Sequence, residues 1–221
     1  MSASAASALV LDFGGVISKT LFETQDATEA ALGLAKGTLT WRGPFADDSD
    51  PLWSAMQRGE LSERDYWLTR SREVGELVGE DWCDMQTFVR RARGADPLLV
   101  IRPEAGRAIQ IARKAGRKLA ILSNELDLFY GAEFRRKLPL LGHFDVIVDA
   151  TRTKILKPDP RAYHVVCDAL GLAPQACVFV DDQERNIEGA IACGLPTVWF
   201  DVRYPKNSYR QALQMLGLAF D

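Results

Sequence analysis

The chain has 221 residues, of which 47% are hydrophobic and 26% charged, and its formal net charge is −3. These values are typical of a soluble globular protein with room for one α/β domain and a smaller inserted subdomain, and they argue against disorder. Because basic and acidic side chains are mixed along the chain, we expect neither nucleic acid nor a membrane as a partner. We expect a small diffusible ligand, and a monomer or a homodimer.

The sequence shows no sign of a membrane span, a signal peptide or a zinc site. No apolar run approaches the ~18 residues of a spanning helix, and the Ala/Ser-rich start lacks the basic and apolar regions of a signal peptide. The four cysteines have no CxxC spacing, and the two histidines belong to no metal-binding motif. We therefore expect a cytoplasmic protein with reduced thiols.

Five apolar runs, each followed by a polar residue, predict buried parallel strands. They cover residues 8–11, 118–122, 145–148, 177–180 and 196–200. Between the later runs lie helical patterns that begin at or near a proline or a polar cap and end at a glycine, at residues 103–116, 160–171 and 184–194. This alternation predicts an α/β fold, with a Rossmann-like parallel sheet between two layers of helices.

Residues 18–96 interrupt this alternation with helical segments and no strand pattern, over a length too great for a plain loop. Ser62 and Asp65 form a capping-box pattern, which predicts a helix starting near Glu63. Bulky aromatic side chains in this region predict a small separate core. The predicted division is a core domain of residues 1–17 and 97–221 and a helical subdomain of residues 18–96.

Polar residues at the ends of the predicted strands form the candidate site. In an open parallel sheet, ligands bind at the carboxyl ends of the strands, where loops and helix N-termini converge. The residues expected to meet there are Asp12, Ser123, Asn124, Asp181 and Asp182, with Lys157 in the loop just before a predicted helix.

These residues lie in four ordered motifs that resemble those of the haloacid dehalogenase-like hydrolase superfamily. The motifs are Leu11-Asp12-Phe13-Gly14-Gly15-Val16, Leu122-Ser123-Asn124, Lys157-Pro158 and Val180-Asp181-Asp182. The resemblance spans residues 9 to about 200. The place of the insertion is similar to that in the helical-cap (C1) subgroup, which includes sugar-phosphate phosphatases and the N-terminal phosphatase domain of soluble epoxide hydrolases. The resemblance implies a cap that closes over the site and selects the substrate.

The resemblance also implies how a small organophosphate substrate would react. Asp12 would attack phosphorus and form an aspartyl-phosphate, which water then hydrolyses. Ser123 and Asn124 would bind the phosphate group, and Lys157 would bridge the nucleophile and the phosphoryl oxygens.

The expected cofactor is Mg²⁺, because a carboxylate and a phosphate dianion repel one another. By resemblance its ligands would be Asp12, the backbone carbonyl of Gly14, and Asp182. Asp181 would act through water, with Asn186 orienting these groups. Either aspartate of the pair remains possible as the direct ligand, and the Gly-Asp sequence common among related proteins favours Asp182.

Gly14 departs from the pattern of most phosphatases in this superfamily, which carry a second aspartate there as general acid and base. Losing such a group typically costs about 10² to 10⁴ in rate. Two alternatives therefore stay open. One is a 2-haloacid dehalogenase, in which the same aspartate attacks carbon without a metal, and the other is a weakly active or non-catalytic phosphate-binding protein.

Overall fold

The computed structural model describes residues 6–46, 50–93 and 97–220, and these form two compact units. Unit 1 consists of the described parts of Met1–Lys19, Val100–Asp127 and Arg135–Asp221, and unit 2 of those of Thr20–Leu99 and Leu128–Phe134. The predicted boundary at residue 96 falls outside the described residues. No helix in the described ranges is long and apolar enough to cross a membrane.

Unit 1 contains a five-stranded parallel sheet in the order β3-β2-β1-β4-β5. Its strands are Ala8–Leu11 (β1), Lys118–Ser123 (β2), Val146–Asp149 (β3), Cys177–Asp181 (β4) and Thr197–Trp199 (β5). The five predicted strands are all present, with ends within one residue of those expected. β1 lies between β2 and β4, and all four of its side chains are buried, as its continuous apolar pattern indicates.

Helices of unit 1 cover both faces of its sheet. In chain order the helices of the described residues are Gln25–Leu32 (α1), Pro51–Gln57 (α2), Glu63–Leu77 (α3), Met85–Arg93 (α4), Pro103–Lys114 (α5), Leu126–Arg136 (α6), Ala150–Thr153 (α7), Pro160–Leu170 (α8), Glu184–Ala192 (α9) and Pro205–Met215 (α10). The predicted start and end of α8 are both observed. The Asp159 side chain accepts from the amide of Arg161 at the start, and Gly171 ends the helix at a φ of 65°. The expected three-layer Rossmann-like fold is confirmed.

One face of the sheet packs on α8 and α9. Val10 and Phe179 on the sheet and Tyr163, Val166 and Ala190 on the helices lie in the same buried cluster. Because side chains alternate along a strand, the intervening residues of β1 and β4 face the opposite layer, where α5 and α10 pack. Both faces of the central strands are thus removed from water, which leaves only their ends open to a ligand.

Unit 2 is helical and has its own aromatic core. α3 begins where the capping-box pattern predicts, with the Ser62 hydroxyl accepting from the amide of Asp65 at 3.1 Å. The core includes Phe22, Trp41, Trp67, Trp82 and Phe88. The predicted separate apolar core is therefore present.

Unit 2 also includes residues 128–134, which the sequence-based division placed in the core domain. Leu128, Phe129 and Tyr130 pack against the aromatic core of unit 2, and the rings of Phe129 and Trp67 lie 6.1 Å apart. The segment is part of α6, which is kinked at Gly131. Its membership of unit 2 depends on contacts distant in sequence, which local patterns do not show.

Candidate active site

The candidate site lies in unit 1, at the carboxyl ends of the three central strands. Asp12 directly follows β1, and its amide continues the sheet by donating to the carbonyl of Val180 at 2.9 Å. Ser123 is the last residue of β2, and Asp181 is the last residue of β4. Because β1 is flanked by β2 and β4, the parallel register brings these ends together, as expected.

Lys157 joins two of these carboxylates. Its Nζ donates to Oδ1 of Asp12 at 2.8 Å and to Oδ2 of Asp181 at 2.6 Å. The residue is only 4% exposed. Burial alone lowers the pKa of Lys157, but the two carboxylates outweigh burial, so that its pKa lies above the ordinary value. The site therefore contains a buried, protonated lysine between two carboxylates.

Asn124 anchors the backbone of Lys157. Its Nδ2 donates to the Lys157 carbonyl at 3.1 Å, and its Oδ1 accepts from the Lys157 amide at 2.7 Å. A side-chain amide matches both polar groups of one residue, so the Asn124 side chain is engaged with Lys157, and phosphate binding at the Asn124 amide stays a prediction. Ser123 is buried, and its hydroxyl accepts from the amide of Glu125 at 3.4 Å.

Asp181 is held from several sides. Oδ1 accepts from the amide of Gln183 at 2.9 Å and from Nδ2 of Asn186 at 3.0 Å, while Oδ2 accepts from Lys157. The hydroxyl of Tyr163 in turn donates to the Asn186 carbonyl at 2.7 Å. With both oxygens engaged, Asp181 is suited to positioning Lys157 rather than to binding a ligand directly.

Asp182 lies against the glycine turn that follows Asp12. A β-carbon built on Gly15 would lie 2.4 Å from Oδ2 of Asp182, and Gly15 has a φ of 73°. A β-carbon on Gly14 would meet only Oδ2 of Asp12, at 3.8 Å. The carboxylates of Asp12 and Asp182 therefore flank one short turn, and this turn requires glycine at position 15 but not at position 14.

The donor set at this turn fits Mg²⁺. The described residues contain no group of three or more His, Cys, Asp or Glu side chains that would hold a metal, but Mg²⁺ commonly takes only one or two carboxylates and completes its shell with waters. Asp12, Asp182 and the Gly14 carbonyl are oxygen donors of this kind. Oδ1 of Asn186 is buried without a hydrogen-bond partner in the described part of the chain, which suits a water on such an ion.

Two residues near the site were not identified from the sequence. Tyr163 lies on the buried face of α8, where an aromatic residue is expected to belong to the hydrophobic core. Trp199 lies at the end of β5, and its indole Nε1 donates to the carbonyl of Asp182 at 3.1 Å. Its place at a strand end is the one signal that pointed towards the site, but aromatic residues are equally common in strands.

A parallel α/β sheet with an aspartate at the tip of its central strand, paired to a buried lysine, places the protein in the class of Rossmann-like α/β proteins with a carboxylate site at the strand ends. The chain belongs to the haloacid dehalogenase-like hydrolases, because the model of this family matches residues 6–194. The predicted family is confirmed.

Known relatives include both phosphatases and dehalogenases. The chain is 33% identical to "Phosphatase MT3486" of Mycobacterium tuberculosis over 58% of its length and 55% of that protein. It is 36% identical to "(S)-2-haloacid dehalogenase 4A" of Burkholderia cepacia over 61% of its length and 58% of that protein. The match thus spans little more than half of either relative. A crystal structure of a HAD phosphatase from Thermococcus onnurineus, 22% identical, covers 88% of this chain and 86% of its own with a TM-score of 0.52, which supports the fold.

Proposed function

We propose that this protein is a Mg²⁺-dependent hydrolase of a small phosphate monoester and that it acts through an aspartyl-phosphate on Asp12. The observation that carries the proposal is the pairing of Asp12 with the buried ammonium of Lys157 beside a second candidate metal ligand, Asp182. Relatives named as phosphatases support the choice of phosphorus as the atom attacked.

In the first step, a carboxylate oxygen of Asp12 forms a bond to phosphorus as the ester P–O bond breaks. Lys157 holds Oδ1 of Asp12, which sets the plane of the carboxylate, and its charge stabilises the phosphoryl oxygens as negative charge develops. Asp12, the Gly14 carbonyl and Asp182 would hold Mg²⁺, which would supply further positive charge between the carboxylate and the phosphate dianion.

In the second step, water attacks phosphorus of the aspartyl-phosphate and restores the Asp12 carboxylate, with release of inorganic phosphate. Asp181 and Asn186 hold Lys157 in place throughout both steps. Ser123 lies at the end of the neighbouring strand, from which its hydroxyl donates to the phosphoryl group.

Most phosphatases of the superfamily carry an aspartate at position 14 that donates a proton to the departing oxygen. Gly14 cannot donate this proton. The leaving group must then depart as an anion or take its proton from water. We expect aryl phosphates, whose leaving groups are stable as anions, to be cleaved far faster than alkyl phosphates. Equal rates across a graded series of esters would contradict this part of the proposal.

A 2-haloacid dehalogenase is the second candidate function. In that reaction Asp12 attacks carbon and halide leaves without a proton, so that Gly14 imposes no cost. The relative named as a dehalogenase favours this candidate, and the pairing of Lys157 with Asp12 would serve either reaction. Asp182 argues against it, because this carboxylate adds negative charge at the turn beside Asp12 that a cation would balance, whereas Asp181 is already paired with Lys157.

One experiment separates these functions. A panel of aryl phosphates, alkyl phosphates and 2-haloacids is assayed with Mg²⁺ and with excess chelator, using wild type, Asp12→Asn, and Asp168→Asn as an exposed control. We expect wild type to release phosphate with Mg²⁺. Chelator and Asp12→Asn should each abolish this release, and Asp168→Asn should retain it. Halide release that survives chelator would establish the dehalogenase, and phosphate binding without turnover would indicate a non-catalytic protein.

A further inference from the structure

We propose that Arg102 is a positioning residue for the Asp12 site, because its buried guanidinium holds the glycine turn that lies between the carboxylates of Asp12 and Asp182. The inference rests on the proposed function. Arg102 lies directly before α5 and is only 2% exposed. Arg102 lies outside the four sequence motifs of the site.

The guanidinium of Arg102 is bound to the turn itself. Its Nε donates to the carbonyl of Gly15 at 2.8 Å, and its charge lies over the ring of Phe200, 5.5 Å from the centroid. A buried charge is costly unless dipoles or an aromatic face compensate it. Part of the compensation comes from the Gly15 carbonyl of the nucleophile turn, so the charge and the turn stabilise one another.

Three consecutive carbonyls of the turn are anchored by two distant parts of the chain. Gly15 accepts from the Arg102 side chain, and Ile17 accepts from the Arg102 amide at 3.0 Å. Between them, Val16 accepts from the hydroxyl of Tyr209 in α10 at 3.0 Å. The carbonyls of Gly15, Val16 and Ile17 therefore each have a specific donor.

These anchors matter because a Gly-Gly sequence has no conformation of its own. Glycine visits positive and negative φ almost equally, so the φ of 73° at Gly15 has to be imposed by contacts. Arg102 holds the carbonyl of Gly15, and the α-carbon of Gly15 faces the carboxylate of Asp182. This carboxylate occupies the space that a β-carbon at position 15 would fill. The orientation of the Gly14 carbonyl, a proposed metal ligand, follows from the same constraint. Arg102 thus sets the separation between the carboxylates of Asp12 and Asp182.

The test compares Arg102→Met, Arg102→Lys and Tyr209→Phe with Arg117→Met as the matched control. Arg117 also donates its guanidinium to a backbone carbonyl, that of Leu216 at 2.9 Å, but outside the turn. Three quantities are measured with an aryl phosphate: kcat, KM, and the Mg²⁺ concentration giving half the maximal rate. A readout independent of turnover is the rise in melting temperature on adding Mg²⁺ alone, together with amide exchange in residues 13–18.

For Arg102→Met we expect kcat to fall and half-saturating Mg²⁺ to rise, each by about 10- to 100-fold, because residues that orient metal ligands have effects of this size. KM should change little, and amide exchange in the turn should quicken. Arg102→Lys should recover part of both losses. Tyr209→Phe removes one hydrogen bond and should shift half-saturating Mg²⁺ by about two- to tenfold, and Arg117→Met should match wild type.

Folded Arg102→Met with wild-type kcat, Mg²⁺ response and turn exchange would overturn the inference while leaving the proposed function intact. If Arg102→Met does not fold, Arg102→Lys takes its place, and wild-type kcat, Mg²⁺ response and turn exchange in that variant would overturn the inference equally. A wild-type chain without Mg²⁺-dependent phosphate release would instead refute the proposed function, and this inference with it.

Discussion

Nζ of Lys157 lies 2.8 Å from Oδ1 of Asp12, although 145 positions separate the two residues in the chain. Both side chains are largely removed from water, so neither charge is screened by solvent as a surface pair would be. The pairing therefore links the stability of the site to its proposed chemistry.

Replacement of Lys157 tests this link. Lys157→Met leaves the carboxylates of Asp12 and Asp181 buried without their cation, which should lower the free energy of unfolding by about 3–5 kcal/mol and kcat by about 10² to 10³. Urea unfolding and steady-state kinetics measure the two effects. Lys154→Met is the control, since Lys154 is exposed and donates to the carbonyl of Thr151. A variant as active as this control would contradict the role given to Lys157.

Gly15→Ala should disturb the site more than its size suggests. The new methyl group would lie 2.4 Å from Oδ2 of Asp182, at a φ of 73° that alanine rarely adopts. We expect a loss of about 1–3 kcal/mol in unfolding free energy and weaker binding of Mg²⁺, measured by calorimetry. Gly142→Ala, where a β-carbon meets nothing within 4 Å, is the control. Unchanged Mg²⁺ affinity in Gly15→Ala would remove Asp182 from the proposed ligand set.

Gly14→Asp should supply the missing proton donor. Gly14 has a φ of −68° and a ψ of 132°, which any residue adopts, and a β-carbon there has ordinary contact distances. We expect the variant to fold and to cleave alkyl phosphates about 10- to 100-fold faster, with a smaller gain on aryl phosphates. Gly14→Asn, which matches the aspartate in shape but cannot act as an acid, is the control. An equal gain in both variants would mean that the aspartate acts by shape alone.

Tyr66 in unit 2 should make stability depend on pH in the alkaline range. Burial, and next its hydrogen bond to Oδ2 of Asp50 at 2.6 Å, raise the pKa of Tyr66 well above its ordinary value. The neutral phenol therefore stabilises the fold fully below the unfolded-state pKa of about 10, and this contribution is lost as pH rises from there towards the folded-state pKa.

The free energy of unfolding of wild type should accordingly approach that of Tyr66→Phe by about 1.4 kcal/mol for each pH unit above 10. Urea unfolding at pH 8, 10 and 11 measures this difference. Tyr204→Phe removes an exposed phenol, and its difference from wild type should stay constant. A constant difference for Tyr66→Phe as well would mean that the Tyr66 hydroxyl contributes no proton linkage.

The sequence by itself determined the five strands, the capped starts of α3 and α8, and the residues that end β1, β2 and β4. These features follow from local rules, since apolar runs, caps and glycine stops each lie within a few neighbouring residues. The parallel order of strands then places the ends together, so Asp12, Lys157 and Asp181 were identifiable before any coordinates.

The tertiary structure decided which group touches which. It gave the Asn124 side chain to the backbone of Lys157, placed Arg102 and Tyr209 on the carbonyls of the glycine turn, and assigned residues 128–134 to unit 2. Each of these contacts joins positions far apart in sequence, and no periodic pattern in the sequence predicts any of them. Local propensity selects elements, but the direction of a buried side chain is settled only when its packed neighbours and its hydrogen-bond partners are both in place.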